Sequence, residues 1–544
     1  MAGRHRFVKV SLLAAVVAVM APPAVAQEIQ KPATTVYFAE GTVRAGFVEL
    51  LTIQNPTNSN AHMEVVMTGT DQSGRGVDVS PLRFDVPANS RATKSISEAV
   101  GDKAPLDVSL EVRSDKEIAA QRTIYFQTSL AGGVQGVTSS VGVTSTSRTH
   151  FFAYGLSNPG SAEEFMAIFN PGKANSRVRI KFLQSATPGS QASDIPDLQV
   201  EVPPGTRKGA DLGQYLKSVG AKVPLDFSAR VDATEPVAAE RVLYSKTDDL
   251  GGVVGGTAAP GGTEGSGTWY FAEGTARGGQ VQNLSVMNLS DKEANLTVRF
   301  RSFDRQGKEI RVAPYEDKIP AHSRVTKDLN DVLKTKGLVS DFDVSLIVEA
   351  NRSIVAERTV RFKNDSAGGT SGLYSVLGTT LPARKLFFPE ARVGPDAESA
   401  FVVLNPGSSK ARIVFKFTGT DQGGQALTVP DLIVNIDGDE RANPALNQYL
   451  SDNHVSGPAD LSVKVDSNVP VVVEQTLFQR SSLAGGVQGG TLVSGFVGKG
   501  EGQNVPIPLL VAGVIIIGLA VAAVVVAMVG QRPVDVPEEE PEAA

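Results

Sequence analysis

Two registers of carboxylates recur along this 544-residue chain, and a pair of carboxyl groups is the smallest set that can do general acid–base work on a glycosidic bond. Glu240, Glu357 and Glu474 stand at one register; Glu40, Glu273 and Glu390 stand at the other. The opening copy breaks the first register with Gln121, an amide that serves neither as proton donor nor as base, and Tyr154 breaks the second. Hydrogen bonds to sheet-edge backbone, or ion pairs with neighbours such as Arg241 and Arg358, therefore account for these acids better than a shared active site does. Asp437-Gly438-Asp439-Glu440 resembles half of an oxygen-rich calcium loop, but the distal bidentate glutamate is missing at the usual spacing, so it reads as an exposed acidic turn. Five histidines are scattered without HxxxH or HxH spacing, and no GxSxG elbow, P-loop or dinucleotide fingerprint falls at a strand-to-helix junction. No catalytic, cofactor-binding or metal-binding residue is assigned, no cofactor is implied, and the chain is read as non-enzymatic.

The elements that carry these acids repeat four times. VYFAEG (Val36 to Gly41) returns as HFFAYG from His150, WYFAEG from Trp269 and LFFPEA from Leu386. A second phrase follows each copy: IAAQRTIYF from Ile118, VAAERVLYS from Val237, IVAERTVRF from Ile354 and VVVEQTLFQ from Val471, each trailed by a Gly-Gly pair. The period of about 117 residues is that of a whole domain, with enough chain to bury a modest core. There is no cysteine, so stability must come from cores and strand pairing.

Within a repeat the periodicity is that of strands. FVELLTI from Phe47, MEVVM from Met63, VSLEVRS from Val108 and IAAQRTIYF from Ile118 are short, rich in β-branched and aromatic residues, and bounded by turn formers. Asn55-Pro56, Asn170-Pro171 and Asn405-Pro406 close the second strand, and Asp71 to Gly74 and Asp304 to Gly307 read as tight hairpins. Ile96 to Val100, Leu212 to Leu216, Leu329 to Leu333 and Leu446 to Leu450 space apolar residues one helical turn apart, predicting a short helix in each unit. About seven strands per unit predict an all-β fold: four tandem immunoglobulin-like antiparallel β-sandwich domains. The glycine-rich run from Gly251 reads as a flexible linker, predicting two stiffer pairs of domains joined by a looser hinge.

The combination of YFAEG, a strand ending in Asn-Pro, VPANSR (Val86 to Arg91, with VPPGTR at Val202 and IPAHSR at Ile319), AERxxYF and Gly-Gly resembles a family of uncharacterised bacterial extracellular repeats. These are similar to domains of unknown function in surface proteins of actinobacteria and related lineages. The resemblance spans about Thr35 to Phe496 and implies no catalytic residues. The third repeat departs from it with Leu289 in place of the turn proline, and the fourth replaces VPxxSR with NIDGDER.

The two ends address the chain to a membrane. Arg4, Arg6 and Lys9 precede an apolar run and Ala24-Val25-Ala26, predicting a signal peptide over 1–26. Ile507 to Val529 is an uncharged stretch long enough to cross a bilayer, so one C-terminal transmembrane helix is expected at 507–529 and an acidic cytoplasmic tail at 530–544. Between them the expected units are repeat 1 at 27–138, repeat 2 at 149–256, a Gly-rich linker at 257–267, repeat 3 at 268–378, repeat 4 at 385–496 and a juxtamembrane linker at 497–506. The formal net charge of -6 gives no footprint for nucleic acid. The expectation is a single-pass cell-membrane protein with extracytoplasmic repeats, anchored through its helix, whose role is structural, adhesive or partner-binding toward envelope protein or polysaccharide. Carbohydrate recognition is the first alternative, should Tyr37, Trp269, Tyr270 and Phe387 line a shallow face; an extracytoplasmic enzyme or sensor is the second. Asn283, Asn288, Asn295, Asn351 and Asn364 open glycosylation sequons.

Overall fold

The computed structural model describes residues 30–499 apart from 186–194, 305, 339–340, 422, 445 and 456; the expected signal peptide, transmembrane segment and acidic tail lie outside the described residues. Among the described residues no helix is long and apolar enough to cross a membrane. The fold is all-β, in four repeats of antiparallel sheet.

In repeat 1, one sheet runs Leu82–Val86, Ala61–Thr70, the first half of Leu106–Thr128, then Ala33–Phe38. The other runs Ser90–Ser95, Phe47–Asn55, the second half of Leu106–Thr128, then Val134–Val141. VSLEVRS and IAAQRTIYF, expected as two strands, are thus one strand of 23 residues that leaves one sheet and enters the other. The segment between them, Asp115-Lys116-Glu117, holds no glycine or proline to make a turn. The chain bends instead, and the pairing register jumps from Ile118 to Arg113 opposite Ala33 and Thr35. The same long strand recurs as Leu225–Thr247, Phe342–Asn364 and Ala459–Ser481. Among the described residues, repeats 1 to 4 contain nine, seven, nine and eight strands, the excess over seven coming mainly from short edge strands such as Thr42–Val43, Glu309–Ile310 and Phe496–Val497.

The four short helices form where apolar spacing predicts them, as Ile96–Val100, Leu212–Ser218, Leu329–Thr335 and Leu446–Asp452. Ser95, Asp211 and Asp328 cap the first three by accepting backbone N–H bonds, from Glu98, Gln214 and both Asn330 and Asp331. Each helix buries its first and fifth residues, such as Ile96 with Val100 and Leu212 with Leu216.

The second half of each long strand is buried on both faces, continuously from Ile118 to Phe126 in repeat 1. One face looks into the sandwich and onward to the following repeat; Ala119, Gln121, Thr123 and Tyr125, on the other, touch repeat 4. The four inner strands, Val134–Val141, Val253–Pro260, Thr370–Leu377 and Val487–Ser494, gather at the centre, each against the next and the last against the first. Ala258 N donates to Thr138 Oγ1 at 2.9 Å, Ser375 N to Thr257 Oγ1 at 3.1 Å, and Ser139 N to Thr491 Oγ1 at 3.1 Å. The repeats therefore form a closed cycle in the order 1–2–3–4–1.

This cycle corrects the linker expectation. The run from Gly251, read as a flexible linker with 257–267 between domains, holds the inner strand Val253–Pro260 and the start of Ser266–Phe271. Its small residues serve close packing: a Cβ on Gly255 would lie 2.6 Å from Leu373 N. The connectors from inner strand to next repeat, 142–146, 261–265 and 378–382, are equally long, so no looser joint separates repeats 2 and 3. Residues 30–499 belong to one compact unit.

Candidate functional site

The recurring acids of the first register meet at the joints. Glu240 pairs not with its sequence neighbour Arg241 but with Arg122 of repeat 1, Nη2 to Oε2 at 2.6 Å, and its other oxygen accepts Ala39 N at 2.8 Å. Glu357 of repeat 3 lies 2.7 Å from Arg241 of repeat 2 and accepts Tyr154 N at 3.0 Å. Glu474 of repeat 4 lies 3.5 Å from Arg358 of repeat 3 and accepts Glu273 N at 2.7 Å. Each arginine also donates through Nη1 to the backbone carbonyl of its own opening phrase: Arg122 to Glu40, Arg241 to Tyr154 and Arg358 to Glu273. The opening phrase is thus a docking strip, fixed by the arginine of its own repeat and gripped by the glutamate of the next. These pairs are inaccessible to solvent, Arg122 and Glu240 being 1% and 3% exposed.

The fourth joint explains the exception at Gln121. Repeat 4 has Gln475 where the others have arginine, and its amide still donates to the phrase carbonyl, Glu390 O, at 2.8 Å. Repeat 1 has Gln121 where the others have glutamate, and it donates to Glu390 Oε2 at 3.4 Å. Both members of the ion pair are neutral at this joint, so no lone charge is left buried. In the sequence Gln121 reads as an isolated departure; its coupling to Gln475 becomes visible only when repeat 4 is placed beside repeat 1.

A second set of joint residues escaped the sequence analysis. Arg91, Arg207, Arg324 and Arg441 end the VPANSR, VPPGTR, IPAHSR and NIDGDER phrases, and each reaches the preceding repeat. Arg207 lies 3.3 Å from Glu40 and 3.2 Å from Asp107, Arg324 2.8 Å from Asp226, Arg441 3.5 Å from Asp343, and Arg91 Nε donates to Pro389 O at 3.4 Å. The phrase that marks the fourth repeat as divergent keeps this one contact residue. The signal that could have found it was the shared terminal arginine.

The second register also lies inside joints. Glu40 accepts Thr42 Oγ1 at 3.1 Å, Glu273 pairs with Arg358 at 3.0 Å, and Glu390 accepts Thr123 Oγ1 from repeat 1. Burial pushes the Glu40 and Glu474 carboxyls up to about 7, against the pull of the arginines. Glu49 and Glu164, which the sequence analysis passed over, are fully buried, and burial pushes each up to about 8. The two registers never face one another across an open cleft. The cavity between the ends of the inner strands, about 110 Å3, is lined by residues including Val141, Pro260, Leu377 and Ser494, and by no charged side chain.

The remaining candidates have structural partners. Asp439 pairs with Arg301 of repeat 3 at 2.5 Å and Asp437 with Lys410 at 3.0 Å, while Glu440 Oε2 accepts Asp437 N at 3.3 Å. Among the described residues no group of three His, Cys, Asp or Glu side chains could hold a metal ion. His150 and Trp269 stand at one register and do one job: their ring nitrogens lie 2.9 Å from Val237 O and Ile354 O. Burial pushes the His150 imidazole down to about 4, so it is neutral at pH 7 and donates through Nε2. Trp269 and Phe387 are buried, and half-buried Tyr37 packs on Phe169 of repeat 2, so these aromatics form no shallow exposed face. Asn288, which opens a sequon, is buried with its amide donating to the carbonyls of Lys292, Ile319 and Pro320; Asn55, Asn170 and Asn405 make the corresponding staple. This amide, kept in all four repeats, is why Leu289 can replace the turn proline.

No family model matches the chain, and no curated protein does. Among solved structures, the chain is similar to Thermotoga maritima 1070 at 20% identity and a TM-score of 0.18, covering 21% of this chain and 93% of that one. It is similar to the Anabaena sensory rhodopsin transducer at 23% identity and a TM-score of 0.14, covering 18% and 91%. A structure reported for host cell surface retention of a 1.5-MDa bacterial ice-binding adhesin aligns at 11% identity and a TM-score of 0.09, covering 62% and 91%.

Proposed function

We propose that this chain is a non-catalytic surface protein: four sandwiches of immunoglobulin-like architecture, held as one rigid body on a single membrane helix at 507–529, with a structural, adhesive or partner-binding role outside the cytoplasm. The signal peptide at 1–26, the acidic tail at 530–544 and the likeness to actinobacterial YFAEG repeats belong to the same reading. The observation that carries it is where the recurrent polar residues go. Every carboxyl of both registers is buried in a joint between repeats, and the central cavity is lined without one. These recurrent residues thus serve assembly, and a partner would be met by the outer loops and sheet faces, where the repeats differ. Those outer faces carry only two large apolar residues more than a third exposed among the described residues, Val223 and Ile433, which favours polar contacts. Capture from envelope extracts with the purified chain, run beside a glycan array, tests the reading: a saturable envelope partner is expected. Turnover of an envelope polymer by the chain alone would overturn it.

A further inference from the structure

We propose that Glu49 and Glu164 are two proton-binding sites, each keeping its carboxyl protonated at neutral pH within the folded cycle, so that the joints between repeats 1 and 2 and between 2 and 3 are tightened by protons. The argument begins with charge balance. Around Glu49 at the first joint stand Glu40, Asp107 and Glu240, facing Arg44, Arg122 and Arg207. Those three acids use all three arginines, and Glu49 is the fourth acid. Around Glu164 at the second joint, Glu357 and Asp226 take Arg241 and Arg324, and Glu164 is the third acid against two bases. Joints 3–4 and 4–1 carry no surplus: Glu273, Glu474 and Asp343 face Arg358, Arg441 and Arg277, while Glu390 and Asp460 face Arg91 and Arg392.

The other two repeats show what belongs at this position. Where repeats 1 and 2 have Glu49 and Glu164, repeats 3 and 4 have Gln282 and Ser399, both neutral and both hydrogen-bond donors. All four side chains address the backbone of the residue just after the opening phrase. Gln282 Nε2 donates to Thr275 O; Ser399 Oγ donates to Arg392 O at 2.9 Å and accepts Arg392 N at 2.9 Å. Glu49 accepts Thr42 N at 3.1 Å and Glu164 accepts Leu156 N at 2.7 Å, yet the second oxygen of each is buried without a partner. A carboxylate has nothing to donate there; a carboxylic acid does, and it carries no charge into the joint.

The sign of the linkage follows. A carboxyl whose folded pKa lies above its unfolded value of 4.5 contributes stability that is fully present below 4.5 and lost as pH rises through the folded value of about 8. The test is thermal unfolding of the full-length protein from about pH 6 to about pH 9, with E49Q, E164Q and the double variant, alongside infrared spectra of the carboxylic acid carbonyl band. The wild-type midpoint should fall on the alkaline side. Each glutamine variant should match or exceed wild type at pH 7, remove part of the alkaline fall and remove part of the acid band; the double variant should keep only the smaller fall that Glu40 and Glu474 contribute up to about pH 7. A double variant that keeps the full alkaline fall, or a wild-type protein without the acid band, would overturn the proposal.

Discussion

A guanidinium and a carboxylate that are each nearly inaccessible to water depend on one another. Arg122→Gln would leave Glu240 with Ala39 N as its remaining polar contact, and Glu240→Gln would leave Arg122 facing an amide. Each single change should cost about 3–5 kcal/mol, the range for breaking a buried pair from one side. The double variant recreates the natural glutamine pair of Gln475 and Gln121, so it should cost far less than the sum. Denaturant unfolding of the four proteins gives the coupling directly, and additive losses would reject the pairing. The recurrence of these acids, and arginine ion pairs and backbone hydrogen bonds as what holds them, could be read from the chain. Their partners could not, because the arginine that meets Glu240 lies one repeat upstream while Arg241 stands beside it in sequence.

Elements follow the same division. Turn formers and apolar spacing located the hairpin at Asp71 to Gly74 and all four helices, since these depend on residues close in sequence. The inner strands were hidden by their composition: Val-Val-Gly-Gly-Thr-Ala-Ala-Pro reads as linker until the inner strands of the repeats before and after it pack against it. There glycine answers to backbone proximity. A Cβ on Gly255 would sit 2.6 Å from Leu373 N, and one on Gly489 2.6 Å from Val137 N, across two different joints. Gly255→Ala and Gly489→Ala should therefore each destabilise by about 1–3 kcal/mol, the cost of forcing packed elements apart. Gly209→Ala, at a strand position with nothing within 4 Å of its Cβ, is the control and should be near neutral or stabilising. Equal behaviour of the three variants in thermal unfolding would show that the inner strands are not packed at backbone contact.

At the scale of the whole molecule, each joint sets one face of a repeat against a different face of the next, a head-to-tail contact that closes on itself after four steps. Three joints have a covalent connector, and the fourth has none: repeat 4 meets repeat 1 by packing alone, with Phe387 against Ala119 and Tyr125 donating to Gln479 at 3.0 Å. Peptide continuity is therefore not what makes a joint, and a single repeat carries both complementary faces. Repeat 2 holds Glu240 and Arg241 together, so four copies of 147–260 could form at every joint the arginine–glutamate pair that the intact chain makes at three of them. Expressed alone, repeat 2 should assemble into a species of four times its own mass, measured by light scattering on a sizing column. Repeat 1 alone should assemble poorly, because its Arg122 would be buried against Gln121, and Gln121→Glu should restore assembly. The period gives each repeat enough chain for a modest core, but a long strand buried on both faces argues against a unit that stands alone, since isolated repeat 2 would expose Ala238, Val242 and Tyr244 on the face that meets repeat 1. A stable monomer of repeat 2 would mean that each sandwich is self-sufficient and that the closed cycle adds little to its folding.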